Sequence, residues 1–359
     1  MRPLKIAVIT CYDQADYVRA KVLRTAFAAC PGTGVFIIKN RHKGLLRYFE
    51  VPAKILAAKL RQRPDILIIT FRGYEMLPFT LLVKGRTPLI FDEFINPGEY
   101  LEEHGTLRTN SRGGRLFLRC YGWLLSHCRF VLTDTQAHAD FSAELCRLPK
   151  AKFRALPVST DEQVFTPAQP GRRHKELFTV FYYGNAISLM TLHGLQYVLA
   201  AAQLLQDEAD IHFVLIGGKA EAAHACAQAA AKGAHVTHMP WVPFAELAQL
   251  AHDAGVTLGG PFGKTLQSQF VITGKTYQFL AAAAPVIVAK NKVSGVFVDK
   301  QNCLLVPPAD AQALAKAIRW AKAHPTELRQ IGRAGRALYE THFSQAVVND
   351  LVRDMIESI

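Results

Sequence analysis

Short apolar runs that alternate with helical stretches constrain the fold of this chain more strongly than any other feature of its sequence. In the first half these runs lie at residues 4–10, 34–39, 65–71, 88–91, 129–134 and 152–158, and in the second half at residues 178–184, 211–218, 235–239, 255–260, 285–290 and 302–308. Strands that alternate with helices form βαβ units, whose parallel sheets are buried on both faces. The sequence therefore predicts an α/β protein with two Rossmann-like, doubly wound parallel sheets.

A segment without periodicity separates the two sets of runs. The stretch TPAQPGRRHKE, residues 166–176, is rich in proline, glycine and charge, as interdomain linkers are. At 359 residues the chain is long enough for two domains. We predict a first domain at residues 1–165 and a second at residues 177–343, and a C-terminal helix at about 344–359 could pack back on the first.

Several classes of protein are disfavoured by what the sequence lacks. No apolar run reaches the ~18 residues of a membrane span. The N-terminus has no apolar signal region with a cleavage site, so we expect a cytoplasmic protein. The seven cysteines include no C-x-x-C pair, which disfavours a disulfide framework or a zinc site. Without an Asp-x-Asp motif or histidines at metal spacing, we predict no metal site.

Positive charge is concentrated in the first half of the chain. Residues 1–165 carry 25 Lys and Arg against 15 Asp and Glu, and the whole chain has a net charge of +13. Residues 39–63 hold eight basic residues, one acid (Glu50) and an apolar middle, a pattern that suits an anionic membrane surface. A core-facing helix with a solvated basic face explains the pattern equally well. Pro52 predicts two short helices here, and no recognition motif supports nucleic-acid binding.

Glycines follow the strands of the second half, where doubly wound sheets bind their ligands. They are Gly184, Gly217, Gly218, Gly259, Gly260 and Gly274. Glycine lets a phosphate approach the backbone, so these positions indicate a nucleotide diphosphate site, although ordinary turns also use glycine. Lys275 opens a predicted helix, where a cation opposes the helix dipole. A diphosphate oxygen would neutralise it, whereas the alternative is a solvated lysine.

Carboxylates follow two strands of the first half. Asp92 and Glu93 come at the end of one strand, and Asp134 comes at the end of another. A carboxylate in this position suits acid–base chemistry or the binding of hydroxyl groups. Helix capping by Asp134 or Thr135 is the structural alternative.

Taken together, these residues resemble glycosyltransferase family 4, whose members are retaining enzymes of the GT-B fold, with two Rossmann-like domains facing across a cleft. The resemblance covers nearly the whole chain and rests on three blocks. They are DILIITFRGYEMLP with TPLIFDEFINPGEYL, then VLTDTQAHADF with LPVSTDEQVFTP, and finally FYYGNAISL, HFVLIGG, WVPFAELAQLAHDAGVTLGG and VITGKTYQFLAAAAPVIVAK.

The resemblance implies a UDP- or GDP-sugar donor held by residues 178–310 and a glycan or lipid-linked acceptor held by the first half, in the synthesis of a cell-surface polysaccharide or glycolipid. It implies retention at the anomeric carbon without a cofactor or a catalytic metal. The donor residues that it implies are Gly184, Asn185, Gly217, Gly218, Trp241, Val242, Gly260, Lys264, Gly274, Thr276 and Gln278. The catalytic residues would be Lys275 together with Asp92 or Glu93.

The sequence departs from the family pattern at the donor site. Phe270 and Gln278 stand where members commonly have two glutamates, and Asn185 and His193 lie nearest the positions of a usual arginine and lysine. Two alternatives to a transferase therefore stay open. One is a GT-B scaffold or partner protein with weakened catalysis, and the other is a sugar-nucleotide epimerase.

Overall fold

The structure, a computed structural model, describes residues 2–11, 17–42, 44–70, 73–167, 177–184 and 192–359. Its strands are β1 (Leu4–Thr10), β2 (Thr33–Lys39), β3 (Ile66–Ile69), β4 (Leu89–Phe94), β5 (Phe130–Thr133), β6 (Phe153–Ala155), β7 (Phe178–Gly184), β8 (Ile211–Gly217), β9 (Val236–Met239), β10 (Val256–Gly260), β11 (Val286–Ala289) and β12 (Leu304–Val306). Its α-helices are α1 (Val18–Ala29), α2 (Arg47–Arg61), α3 (Leu77–Lys84), α4 (Pro97–Glu103), α5 (Arg112–Ser126), α6 (Gln136–Cys146), α7 (Leu195–Leu204), α8 (Ala220–Ala231), α9 (Phe244–Asp253), α10 (Gly274–Ala281), α11 (Ala311–Ala323), α12 (Pro325–His342) and α13 (Gln345–Glu357).

The chain divides into two compact units, one formed by Met1–Ser159 with Gln345–Ile359 and the other by Thr160–Ser344. Each unit contains one six-stranded sheet, with the order β2-β1-β3-β4-β5-β6 in the first and β12-β11-β10-β7-β8-β9 in the second. Neighbouring strands are parallel throughout the two sheets. The predicted fold class, two doubly wound parallel sheets, is confirmed. The linker predicted at 166–176 lies mostly outside the described residues.

The first sheet is apolar along its strands because helices cover both of its faces. Helices α2, α3, α5 and α6 pack on one face, and α1 and α13 pack on the other. All four residues of β3 are buried, as expected for a central parallel strand. Helix α13 reaches this unit from the far end of the chain, and its Gln345 donates a hydrogen bond to the carbonyl of Val22 in α1.

Helix α2 corrects the prediction of two short helices around Pro52. The segment is one helix, Arg47–Arg61, with the proline inside it. Proline at the sixth residue of the helix removes the backbone hydrogen bond that an N–H there would donate to the carbonyl of Tyr48. Burial of Val51, Ile55 and Ala58 against the sheet outweighs that loss.

The second sheet is covered in the same way, with α7, α8 and α11 sharing one core on one of its faces. Asp310 caps α11 by accepting a hydrogen bond from the Ala313 amide at 2.8 Å, as its sequence position predicts. Helix α10 begins at Gly274, also as predicted. Within the described ranges, no helix combines the length and the apolar character that crossing a bilayer requires.

Candidate functional site

The carboxyl end of the second sheet is built from closely packed glycines. Strands β7 and β8 pair up to their last residues, Gly184 and Gly217. Gly217 has φ +94°, and a Cβ added there would lie 2.0 Å from the carbonyl oxygen of Gly184. A side chain at residue 217 would therefore push the two strand ends apart. Gly218 also has a left-handed backbone, at φ +84°.

The start of α10 is fixed against the end of β10. The hydroxyl of Thr273 donates to the carbonyl of Gly259 at 2.7 Å and lies 2.9 Å from the hydroxyl of Thr276. A Cβ on Gly259 would come within 2.6 Å of Thr276 Oγ1, so the glycine allows helix and strand to meet. Thr276, which the resemblance implies for the donor, is fully buried and hydrogen-bonds inside the protein. Gly260 ends β10 with φ +71°.

Lys275 is the charged group at this helix start. Its side chain is buried, at 4% exposure. Its Nζ lies 2.9 Å from Nδ1 of His193 and 4.6 Å from the ring centre of Tyr182. None of the ion pairs found among the described residues includes Lys275. Burial lowers the pKa of Lys275 well below its usual value, because a desolvated ammonium without a counter-charge is costly.

His193 is held beside Lys275 by its own backbone. The hydroxyl of Tyr182, a buried residue of β7, donates to the His193 carbonyl at 2.7 Å. Burial, and then the charge of Lys275, lowers the pKa of His193 well below its usual value, so the imidazole is neutral at neutral pH. A neutral ring accepts from the Lys275 ammonium at Nδ1, which leaves Nε2 as a proton donor. No sequence pattern indicated the role of Tyr182, which has the apolar setting of an ordinary strand residue.

Gln278 lies one turn after Lys275 on α10. It is buried, and among the described residues its Oε1 has no hydrogen-bond partner. An unsatisfied buried carbonyl oxygen costs free energy, so a hydroxyl donor from a ligand would stabilise it. Phe270, eight residues earlier in the sequence, is also buried, and the Lys292 ammonium lies 4.7 Å from its ring centre.

The remaining donor residues implied by the resemblance differ widely in exposure. Val242 is buried, Trp241 is 73% exposed, and Lys264 is exposed. In the described part of the chain, neither Trp241 nor Lys264 makes a hydrogen bond or ion pair with Lys275. Asn185 lies outside the described residues. The structure thus brings Lys275, His193 and Tyr182 together, whereas the roles of the other positions stay predictions.

In the first unit, Asp92 is bound to Arg19. Arg19 Nη2 lies 2.9 Å from Asp92 Oδ1, and both side chains are fully buried. The same guanidinium donates to the carbonyls of Thr133 and Pro157 at 3.2 and 3.0 Å. Arg19 therefore ties the end of β4 to the end of β5 and to the segment after β6. The catalytic role of Asp92 stays a prediction, and its observed contacts are those of a structural ion pair.

Glu93 is also enclosed by protein donors. Its Oε1 accepts from Asn96 at 3.0 Å and from the Tyr121 hydroxyl at 2.9 Å, and its Oε2 accepts from Ser142 at 2.7 Å. Asn96 in turn caps α4 by accepting from the Gly98 amide. Burial raises the pKa of Glu93 above its usual value. These contacts anchor α4, α5 and α6 to the end of β4, and any catalytic role of Glu93 stays a prediction.

Next to this network, His138 lies between two carboxylates. Its Nδ1 is 2.8 Å from Asp134, and its Nε2 is 3.0 Å from Glu99. Burial alone would lower the pKa of His138, but the hydrogen bonds and charges of the two acids raise it well above its usual value. The helix cap expected from Asp134 or Thr135 is Thr135, which accepts from the His138 amide. Among the described residues, no cluster of His, Cys, Asp and Glu could hold a metal ion.

Comparison with known proteins gives a family match for part of the chain and a fold match for nearly all of it. Residues 178–323 match the family described as Glycosyl transferases group 1. The sequence matches no curated protein.

The solved structures of similar fold include HepE from Anabaena in complex with UDP-glucose, at 14% identity and a TM-score of 0.73, covering 99% of this chain and 100% of that one. Sucrose-phosphate synthase from Thermosynechococcus elongatus has 18% identity and a TM-score of 0.70, with 99% of this chain and 100% of that one covered. A glycosyltransferase from Rickettsia africae has 10% identity and a TM-score of 0.71, with 100% and 99% covered. The fold is the GT-B fold of glycosyltransferases.

Proposed function

We propose that this protein is a retaining glycosyltransferase that takes a sugar from a UDP- or GDP-sugar bound at the carboxyl end of the second sheet. One observation carries the proposal: Lys275 is a buried ammonium at a helix start, with no carboxylate in ion-pair contact in the described part of the chain. The match of residues 178–323 to Glycosyl transferases group 1 supports it.

The surroundings of Lys275 fit a diphosphate better than a side-chain carboxylate. The helix start provides a positive dipole end, and the glycines of β7, β8 and β10 leave the backbone accessible. A diphosphate would supply the counter-charge that Lys275 lacks among the described residues. The proton on His193 Nε2 is a further donor in the same cluster.

The nucleoside of the donor would also contact α10. The free Oε1 of Gln278 can accept a hydrogen bond from a ribose hydroxyl, the role that the resemblance gives to a glutamate. HepE has been solved with UDP-glucose, which makes UDP and UDP-glucose the first ligands to test.

In the reaction we propose, the bond between the anomeric carbon and the diphosphate oxygen breaks, and its electron pair stays on the diphosphate. Lys275 and the amides at the start of α10 stabilise that charge. The acceptor hydroxyl, of a glycan or a lipid-linked sugar, forms the new bond on the same face of the donor and passes its proton to the departing diphosphate oxygen. Because the protein supplies the positive charge through Lys275, we propose that the transfer needs no metal ion.

Calorimetric titration with UDP and GDP tests the donor site. We expect one of them to bind to the wild type and Lys275→Met to bind it at least ~10-fold more weakly, because a charged hydrogen bond is lost. Lys316→Met, at an exposed lysine of α11, is the matched control and should bind normally. The donor-site proposal fails if neither nucleotide binds or if Lys275→Met binds as well as the wild type.

A second candidate is a GT-B scaffold that has lost its chemistry. Phe270 and Gln278 favour it, because neither side chain supplies the charge of the glutamates in related enzymes. Hydrolysis or transfer of sugar from UDP-glucose or a GDP-sugar would exclude this candidate. Binding without turnover over a panel of donors and acceptors would support it.

A further inference from the structure

Helix α2 presents apolar side chains on two roughly opposite sides. At about 100° per residue, Val51, Ile55 and Ala58 form one stripe, which is buried against the sheet. The second stripe is exposed to solvent and also includes the turn before the helix. Its exposed fractions are 78% for Leu45, 61% for Leu46, 75% for Phe49, 47% for Leu56 and 81% for Leu60.

No charged residue interrupts this outer stripe. The helical positions between its large side chains are Ala53 and Ala57, both exposed. The stripe therefore covers an arc of about 100° or more on the outer side of the helix. Single exposed leucines are common on protein surfaces, whereas a continuous stripe of this kind marks an interaction site.

The neighbouring helix α3 extends the apolar surface. Lys59 of α2 donates to the carbonyls of Val83 and Lys84 at 3.0 and 2.7 Å, which fixes the end of α3 beside α2. Leu82, near that end, is 83% exposed. We call Leu45, Leu46, Phe49, Leu56, Leu60 and Leu82 the outer face.

Basic residues surround the outer face. Lys39, Arg41, Arg61 and Arg63 are exposed at the two ends of α2, and Arg86 is exposed after α3. Glu50 is the only acid in residues 39–63, and residues 77–86 contain none. Glu50 is already engaged, because it binds Lys54 and the backbone amides of Arg41 and His42. The surface therefore combines protruding apolar side chains with an excess of positive charge.

We propose that the outer face docks on an anionic lipid leaflet, with its leucines and phenylalanine at the boundary of headgroups and acyl chains and its arginines at lipid phosphates. The surroundings favour lipid over protein, because a basic helix with an uninterrupted apolar stripe fits an interface of anionic headgroups. Each interpretation of residues 39–63 describes one side of α2: Val51, Ile55 and Ala58 face the core, and the outer face is exposed. The inference does not depend on the donor site, which lies in the other unit.

Sedimentation with vesicles tests the docking. We expect the wild type to sediment with vesicles of phosphatidylcholine and phosphatidylglycerol, and much less with phosphatidylcholine alone or at high salt. The variant Phe49→Gln/Leu56→Gln/Leu60→Gln keeps good helix formers on exposed positions, so it should fold, and it should bind at least ~10-fold more weakly. Arg41→Gln/Arg61→Gln should weaken binding and reduce its salt dependence.

The matched control is Leu204→Gln/Leu351→Gln, which removes exposed leucines from α7 and α13 and should bind vesicles as the wild type does. Circular dichroism and UDP titration of each variant separate a loss of docking from a loss of fold or of the donor site. The proposal is overturned if the wild type does not sediment with anionic vesicles, or if the outer-face variant sediments with them as the wild type does. It is equally overturned if light scattering shows a wild-type dimer that the outer-face substitutions dissociate, while neither the wild type nor the variant binds vesicles.

Discussion

The ammonium of Lys275 lies 2.9 Å from Nδ1 of His193, a residue 82 positions away in the sequence. The contact joins the start of α10 to a residue two positions before α7, and both belong to the second unit. A neutral imidazole cannot neutralise the ammonium, but it can fix where the charge points. Lys275 is therefore oriented while it remains electrostatically unsatisfied.

Replacing His193 should weaken nucleotide binding by releasing Lys275 from this orientation. We expect His193→Ala to lower the affinity for the bound nucleoside diphosphate about 10-fold, the value of one charge-assisted hydrogen bond. His193→Asn should retain much of the affinity, because its Oδ1 can accept near the position of Nδ1. Titration calorimetry measures both. Equal affinities for wild type and His193→Ala would show that Lys275 needs no such support.

Lys275→Met should stabilise the protein in the absence of ligand. The pKa of Lys275 is lowered by burial, so the unfolded state binds more protons than the folded state between the lowered value and the normal one. The buried lysine therefore destabilises the fold at neutral pH, and the penalty shrinks as the pH rises toward 10.5. We expect an increase in Tm of at least about 3 °C at pH 7, with a smaller gain at pH 9. Lys316→Met should leave Tm unchanged, and a drop in Tm for Lys275→Met would contradict the proposed cost of the buried ammonium.

Asp92→Asn should destabilise the first unit by about 3–5 kcal/mol, because it leaves the buried guanidinium of Arg19 without its counter-charge. Arg19→Met/Asp92→Leu, which removes both charges, should lose less than the sum of the two single variants. Hydrogen exchange of the β4 and β5 amides measures the loss of stability within the first unit. If Asp92→Asn kept those amides protected and abolished only sugar transfer, Asp92 would instead contact the acceptor, as the sequence predicts.

The ion triad of His138 should make the first unit less stable as the pH rises. Its pKa is raised in the folded state, so its stabilisation is complete below about pH 6.5 and is lost as the pH rises through the higher folded value. We expect His138→Gln to flatten this part of the stability curve measured by thermal unfolding. A slope unchanged by the substitution would assign the pH dependence to other groups.

The sequence predicted those features that depend on local patterns. The strand runs, the start of α10 at Gly274 and the cap of α11 at Asp310 all follow from neighbouring residues. The sequence could not predict which residues meet across the sheet. The partners of Glu93 are Asn96, which caps α4, Tyr121 of α5 and Ser142 of α6. No pattern in the sequence around residue 93 predicts that its carboxylate is enclosed by these three side chains.

Pro52 shows that packing can also override a strong local signal. A proline is a strong local signal for a helix break, yet α2 continues through it because its inner side is buried. The sequence of the same helix contains apolar residues that are buried and apolar residues that are exposed. Only the packing of α2 against the sheet shows which are which.

The first unit is assembled from two distant stretches of chain, because α13 packs on α1 after the whole of the second unit has intervened. A ribosome makes β7 to β12 before it makes α13, so the second sheet can be complete while one face of the first still lacks a helix. Val348, Val352 and Met355 can cover that apolar surface only after the whole second unit has been synthesised. Deleting residues 345–359 should therefore yield a protein whose second unit is folded and whose first unit exposes apolar surface that chaperones bind.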